Sequence, residues 1–231
     1  MRNAAEHERR ERERRRRTLS VGGREFDVQS GDFTELTVEL QRALDNDAVP
    51  GLSSGRAIFT RLQPMKPASR TPETDRRRGR RYGGAPDAGL SPAQREALGY
   101  MGEWYAYHWL RGRYSVGMDE TSWVSSNRRK AFPGPSGDDG LGFDFKVGSG
   151  KRPMMFEVKA TRGDGGQIEL GESEVRAAQQ HAGNERWRLL VVTSVLDPER
   201  VDIHMLPNPF GKQGRGRYRE EGGALRFSYR L

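Results

Sequence analysis

A mixed α/β sandwich, with one sheet covered by helices, is the fold class this chain predicts, and three observations carry it. From Gly142 to Thr161 two segments alternate apolar and polar residues around a glycine-rich break, as a hairpin does. Ahead of them, Ser91-Pro92 reads as a helix start, serine at the N-cap and proline in the first turn, with the helix running to about Arg113. The order that results, helix, three strands, helix, two strands, places helices against a single sheet.

The strands and helices of that core follow in turn. Thr121 to Ser126 reads as a strand, and Pro133 to Gly142 as a glycine-rich loop. In the hairpin, Phe143, Phe145 and Val147 share one face while Asp144 and Lys146 share the other. The second strand sets Phe156, Val158 and Ala160 against Glu157, Lys159 and Thr161. Gly148 to Arg152 supplies the turn, and folding at about Gly150 to Lys151 brings Asp144 opposite Glu157. A short strand at Gln167 to Leu170 leads into a helix from about Glu172 to Ala182. Strands at Arg188 to Val195 and Val201 to Leu206 complete the core.

The flanking regions differ in composition. Residues 1–63 read as a basic N-terminal helix and a small module. Glu6 to Arg17 is almost wholly Arg and Glu, either a charge-laced exposed helix or a disordered basic arm. Two short strands follow about the Gly22-Gly23 turn, then a short helix over Phe33 to Leu44. Residues 64–89 are rich in Pro, Gly, Ser, Thr and Arg and read as a disordered basic linker. There Arg76, Arg77, Arg78, Arg80 and Arg81 would either grip a phosphate backbone or serve as a solubilising tether. Residues 90–210 hold the core, and 211–231 form a Gly/Arg-rich tail with an edge strand expected at Leu225 to Tyr229.

With 40 Lys and Arg against 32 Asp and Glu, the net charge of +8 favours a polyanionic partner, nucleic acid before an anionic membrane surface. The 231 residues contain no cysteine, which excludes disulfides, thiolate zinc sites and a cysteine nucleophile. No apolar run approaches the roughly 20 residues of a membrane span. The polar, arginine-rich start is unlike a secretory signal, so a cytosolic location is expected.

The hairpin also carries the chemistry. An acid, then an acid and a lysine one residue apart, form a minimal site for metal-assisted phosphodiester cleavage. Magnesium, with manganese as a substitute, takes oxygen ligands and keeps several waters, so one or two carboxylates per ion suffice. Asp144 and Glu157 would supply these, and the Val158 backbone carbonyl another oxygen. Lys159 would orient the attacking water and stabilise charge on the phosphate, its pKa lowered by a crowding metal. Glu103 shares a helical face with Gly99, Ala106 and Leu110; a carboxylate on that inward stripe should have a cation partner and could complete the metal site. Taken as a lone strand, Glu157 and Lys159 would be an ordinary exposed charge pair.

Glu174 reads as a helix-start capping residue. His108 reads as a helix-surface histidine and His181 as a helix-end one. Asp138 and Asp139 read as turn formers, and Trp104, Tyr105 and Trp109 as core or boundary residues.

Five motifs together carry a family resemblance: Gly102-Glu103 on a helix, Trp123-Val-Ser125, Gly140-Leu-Gly-Phe-Asp-Phe145, Phe156-Glu-Val-Lys-Ala-Thr161 and Glu172-Ser-Glu174. Over roughly Ser91 to Phe210 the chain resembles the NO VEIN C-terminal domain, within the PD-(D/E)XK nuclease superfamily. The resemblance implies a restriction-endonuclease-like core, with Asp144, Glu157 and Lys159 on the signature positions and Glu103 on the first-helix acid. Phe143 stands where the superfamily name has proline. Relatives of this kind are often attached to helicases or ATPases, and this chain has no Gly-x-x-x-x-Gly-Lys-Ser/Thr segment, so any motor would be a separate partner. The leading expectation is a magnesium-dependent nuclease acting on DNA rather than RNA. A catalytically silent nucleic-acid-binding or partner-docking module is the alternative, and the oligomeric state is left open.

Overall fold

The computed structural model describes residues 2–53, 60–65, 89–148, 152–221 and 226–231. The arginine cluster at 76–81, most of the expected linker and the apex of the hairpin lie outside the described residues. In chain order the elements are α1 (Arg2–Arg17), β1 (Thr18–Val21), β2 (Arg24–Asp27), α2 (Thr34–Asp45), α3 (Pro50–Ser53), α4 (Pro92–Arg113), α5 (Arg128–Ala131), β3 (Phe145–Val147) and β4 (Met154–Ala160). They continue with β5 (Gln167–Glu169), α6 (Glu172–Gln180), β6 (Trp187–Thr193), β7 (Asp202–Leu206), β8 (Arg219–Glu221) and β9 (Arg226–Ser228).

The central sheet has the order β3-β4-β6-β7. β3 pairs antiparallel with β4, placing Phe145 against Phe156. β4 runs parallel to β6, and β6 antiparallel to β7, so the sheet is mixed. All seven residues of β6, Trp-Arg-Leu-Leu-Val-Val-Thr, are buried, as expected of a strand covered on both faces. On one face Phe145, Phe156, Val158, Leu190 and Val192 pack with the apolar side of α4 and with β1, β2 and α2. On the other, Met155, Leu189 and Val191 pack with α6 and with a small second sheet of order β5-β9-β8.

α4 begins as its sequence dictates. Ser91 Oγ accepts from the Gln94 amide at 3.2 Å while the Gln94 side chain accepts from the Ser91 amide at 2.9 Å, a reciprocal capping box. Gln94 also ties the end of α1 down, donating to the carbonyls of Arg15 at 2.8 Å and Thr18 at 2.7 Å. α1 itself is a helix laced by exposed pairs such as Glu6 with Arg10 and Glu8 with Arg12, each contributing about 0.3–0.5 kcal/mol.

Three expectations are corrected. The short strand at Gln167–Glu169, expected in a single sheet, pairs instead with β9 in the second sheet. Thr121 to Ser126 is not a strand: Asp119 Oδ1 captures the Thr121 amide at 2.8 Å and its hydroxyl at 2.6 Å, winding Glu120–Ser122 into a 3₁₀ turn. Only Trp123 then bridges to Phe145. The C-terminal segment is not an edge. β9 lies between β5 and β8, because the polar Arg-Glu-Glu of β8 takes the outer position.

Gly102 sets how closely α4 meets the sheet. A Cβ there would lie 2.6 Å from the Ala160 Cβ and 3.5 Å from its Cα. Gly102→Ala is therefore expected to destabilise the protein by about 1–3 kcal/mol through overpacking, measured by urea denaturation. Adding Ala160→Gly should recover part of that loss; independent, additive effects would contradict the contact.

Candidate active site

The close approach at Gly102 brings the next residue, Glu103, down toward the start of β3. There Asp144 lies just ahead of β3, where the regular pairing breaks: its amide donates to the Phe156 carbonyl, the partner of Phe145, at 2.9 Å, and its carbonyl accepts from the Val124 amide at 2.8 Å. Its side chain reaches along β4 to the Val158 amide rather than pairing directly across from Glu157, the position the hairpin reading predicts. Gly142 aids the placement, being left-handed (φ 76°) and so close to the Ser173 carbonyl that a Cβ would collide with it. Glu103, Asp144, Glu157, Lys159 and Glu174 line one cleft of about 320 Å³, together with Arg95, Asn127, Asp139 and Val158. The structure thus brings together every candidate described outside the arginine cluster.

Within the cleft each acid has a distinct environment. Asp144 Oδ2 accepts from the Val158 amide at 2.7 Å. Burial, then the charges of Glu103 and Glu157, push its pKa well above the ordinary carboxylate value despite that bond. Glu157 is buried and sits 2.9 Å from Lys159 Nζ. Burial raises it to about 8, against the lowering effect of Lys159. Lys159 Nζ also meets Glu174 Oε2 at 2.7 Å. Burial alone would lower the Lys159 pKa, but the two carboxylates outweigh it and raise it. The lysine's near neighbours in the protein itself are anions, so without a cation beside it the ammonium is held charged.

Glu103 departs from expectation in its partners. Its Oε2 accepts from Trp123 Nε1 at 2.6 Å and from the Ser125 hydroxyl, and its Oε1 from Asn127 Nδ2 at 2.6 Å. These are neutral donors; among the described residues no lysine or arginine pairs with it. Burial raises its pKa and the three hydrogen bonds oppose the rise. An inward stripe announces a buried acid, but whether cations or neutral donors satisfy it depends on a loop twenty residues away. Ser125 and Asn127 were not singled out as site residues, although their alternation with Trp123 is a usable signal.

Glu174 does what its sequence position suggests, accepting from the Gly171 amide at 2.9 Å as a helix cap, and holds Lys159 besides. Asp138 forms a turn, accepting from the Gly140 amide at 2.8 Å, while Asp139 holds the Ser126 amide at 2.8 Å. Trp104, Tyr105 and Trp109 are core residues. His181 caps the end of α6. His108 is half-buried rather than on the surface, its ring centroid 4.5 Å from that of Trp104, and burial lowers its pKa to about 4.

Among the described residues, no group of three or more acids or histidines is placed to hold one metal ion. With the oxygens of Glu103 occupied, Asp144 and Glu157 are the acids available, one or two carboxylates being what magnesium requires. Their fit to a cation lies in the electrostatics: burial raises both, neighbouring carboxylates raise Asp144 and Glu157 further, and an added cation would relieve that.

Because the folded state binds these protons more tightly than the unfolded chain, their stabilising contribution is present below the usual glutamate value of 4.5 and lost as pH rises through about 8. In EDTA the melting temperature is expected to fall between about pH 5 and about pH 9, and Glu157→Gln should flatten that slope. An unchanged slope in the variant would contradict the assignment.

Residues 118–204, less than half of the chain, match the family model described as Protein NO VEIN, C-terminal. The matched stretch contains Asp144, Glu157, Lys159 and Glu174 with Trp123, Ser125 and Asn127, whereas Glu103 lies ahead of it. No curated protein and no solved structure matches the chain.

Proposed function

We propose that this cleft is the centre of a metal-dependent nuclease that hydrolyses phosphodiester bonds of DNA. The observation that carries the reading is the convergence of Asp144, Glu157 and Lys159, from two paired strands, on one cleft with Glu103. The same stretch resembles the PD-(D/E)XK superfamily in its motifs. A helix, a hairpin, a second helix and a strand parallel to β4 are the parts a restriction-endonuclease-like core requires.

Asp144 and Glu157, with the Val158 carbonyl and water, would hold magnesium or manganese. Such an ion, when bound, neutralises charge on the scissile phosphate and lowers the pKa of an attacking water. Lys159, kept protonated between Glu157 and Glu174, donates hydrogen bonds to the phosphate as its charge grows, rather than acting as the base. Glu174 fixes where that ammonium sits, and the rigid α6 cap fixes Glu174. The net charge of +8 supplies backbone affinity that weakens with salt.

A second reading, a silent nucleic-acid-binding or partner-docking module of an ATPase or helicase system, draws on α1, an exposed charged helix ending in Arg14, Arg15, Arg16 and Arg17. We also propose a cytosolic location, in keeping with the polar, arginine-rich start of the sequence.

Incubation of the protein with supercoiled plasmid and magnesium or manganese tests the choice. Cleavage should occur and be lost in EDTA. Asp144→Ala, Glu157→Ala and Lys159→Ala should each slow it by about 10²-fold or more, with DNA binding largely retained. Plasmid bound but never cut would overturn the nuclease in favour of the binding module.

A further inference from the structure

Asn127 stands between two groups of opposite character. Its Nδ2 donates to Glu103 Oε1 at 2.6 Å, and its Oδ1 accepts from Lys130 Nζ at 2.7 Å. A carboxylate only accepts and an ammonium only donates, so a single orientation of the amide satisfies both neighbours. Lys130 is held in turn by Glu96 Oε1 at 2.7 Å and lies over the ring of Phe33, 4.9 Å from its centroid. Phe33 is buried at the start of α2, in the N-terminal part of the chain, and also packs on Tyr100 of α4 with ring centroids 5.2 Å apart.

We propose that Lys130 is a positioning residue for the acid cleft: by holding the Asn127 carbonyl oxygen it aims the amide N–H at Glu103, and through Phe33 it makes that geometry depend on the N-terminal segment. Its catalytic consequence rests on the nuclease reading; its structural content does not. With Lys130 removed, the amide keeps only one of its two anchors and is freer to move off the buried carboxylate. Glu103 then loses a donor it cannot replace from solvent, and its negative charge acts on Asp144 less tempered. The short α5, which carries Lys130, thus links the fold's N-terminal portion to its acids. Arg128, on the same helix, is engaged with the carbonyls of Glu120 and Pro135.

The test uses the full chain, free of metal and nucleic acid, with two variants. Lys130→Met keeps the length of the side chain and removes its charge and donors, whereas Lys130→Arg keeps the donors. In ¹⁵N–¹H spectra, Lys130→Met should shift the Asn127 side-chain amide and the Trp123 indole N–H, which shares Glu103 with it, and Lys130→Arg should restore both. Phe33→Leu should move the same signals in the same direction by less, which keeps the test open if Lys130→Met does not fold. In plasmid cleavage Lys130→Met should lower kcat about tenfold with KM little changed, and it should cost nothing further in an Asn127→Ala background. Unmoved resonances, or additive losses in the double variant, would overturn the proposal. A wild type that never cleaves would count against the nuclease reading alone, because the spectra decide the role of Lys130 without activity.

Discussion

The register between β3 and β4 is the constraint on which the rest of the cleft depends. Phe145 faces Phe156, which leaves Glu157 and Lys159 together on the opposite side of β4 and sets Asp144 just ahead of the paired residues, where its carboxylate takes the Val158 amide. Side chains alternate strictly along a strand, and a slip of one residue would send Phe156 and Val158 into the cleft and turn Glu157 and Lys159 toward α4. What pins the register is burial: Phe145 and Phe156 sit wholly inside the core under α4, where a glutamate and a lysine would be left without partners. The apolar face therefore determines where the polar face lies.

Around that register the protein concentrates negative charge in a place where water is scarce. Glu103, Asp144, Glu157 and Glu174 share a cleft with Lys159, and burial raises the three deepest acids. Each is eased in a different way: Glu103 by neutral donors, Asp144 by a backbone amide, Glu157 by the ammonium. A buried like-charge cluster of this sort costs stability and is the usual mark of a functional site rather than of a scaffold. A cation held by Asp144 and Glu157, as proposed above, would relieve that cost.

The N-terminal segments are part of the same body as the cleft. Leu19, Val21, Phe26, Phe33, Leu36 and Leu40 belong to the core that also holds α4, and Gln94 joins the carbonyls at the end of α1 to the first turn of that helix. Pressure on α2 would be felt at α4 and α5, two elements that position Glu103 and its donors.

Local pattern by itself determined a good deal: the capped start of α4, the hairpin, the existence of β6 as a strand and the alternation that puts Glu157 and Lys159 on one face. Each follows from periodicity and turn chemistry within some twenty residues, where neighbours in sequence are neighbours in space. Tertiary structure alone decided the remainder. The 3₁₀ turn at Glu120–Ser122 replaced an apparent strand because the Asp119 side chain competes for the backbone. β9 became a central strand because a polar segment paired with its far side. Lys159 found Glu174, and Glu103 found Trp123, Ser125 and Asn127, across contacts that no spacing encodes. Which buried charge meets an ion and which meets a neutral donor is set by packing, since a desolvated carboxylate takes whatever donor the fold brings within reach.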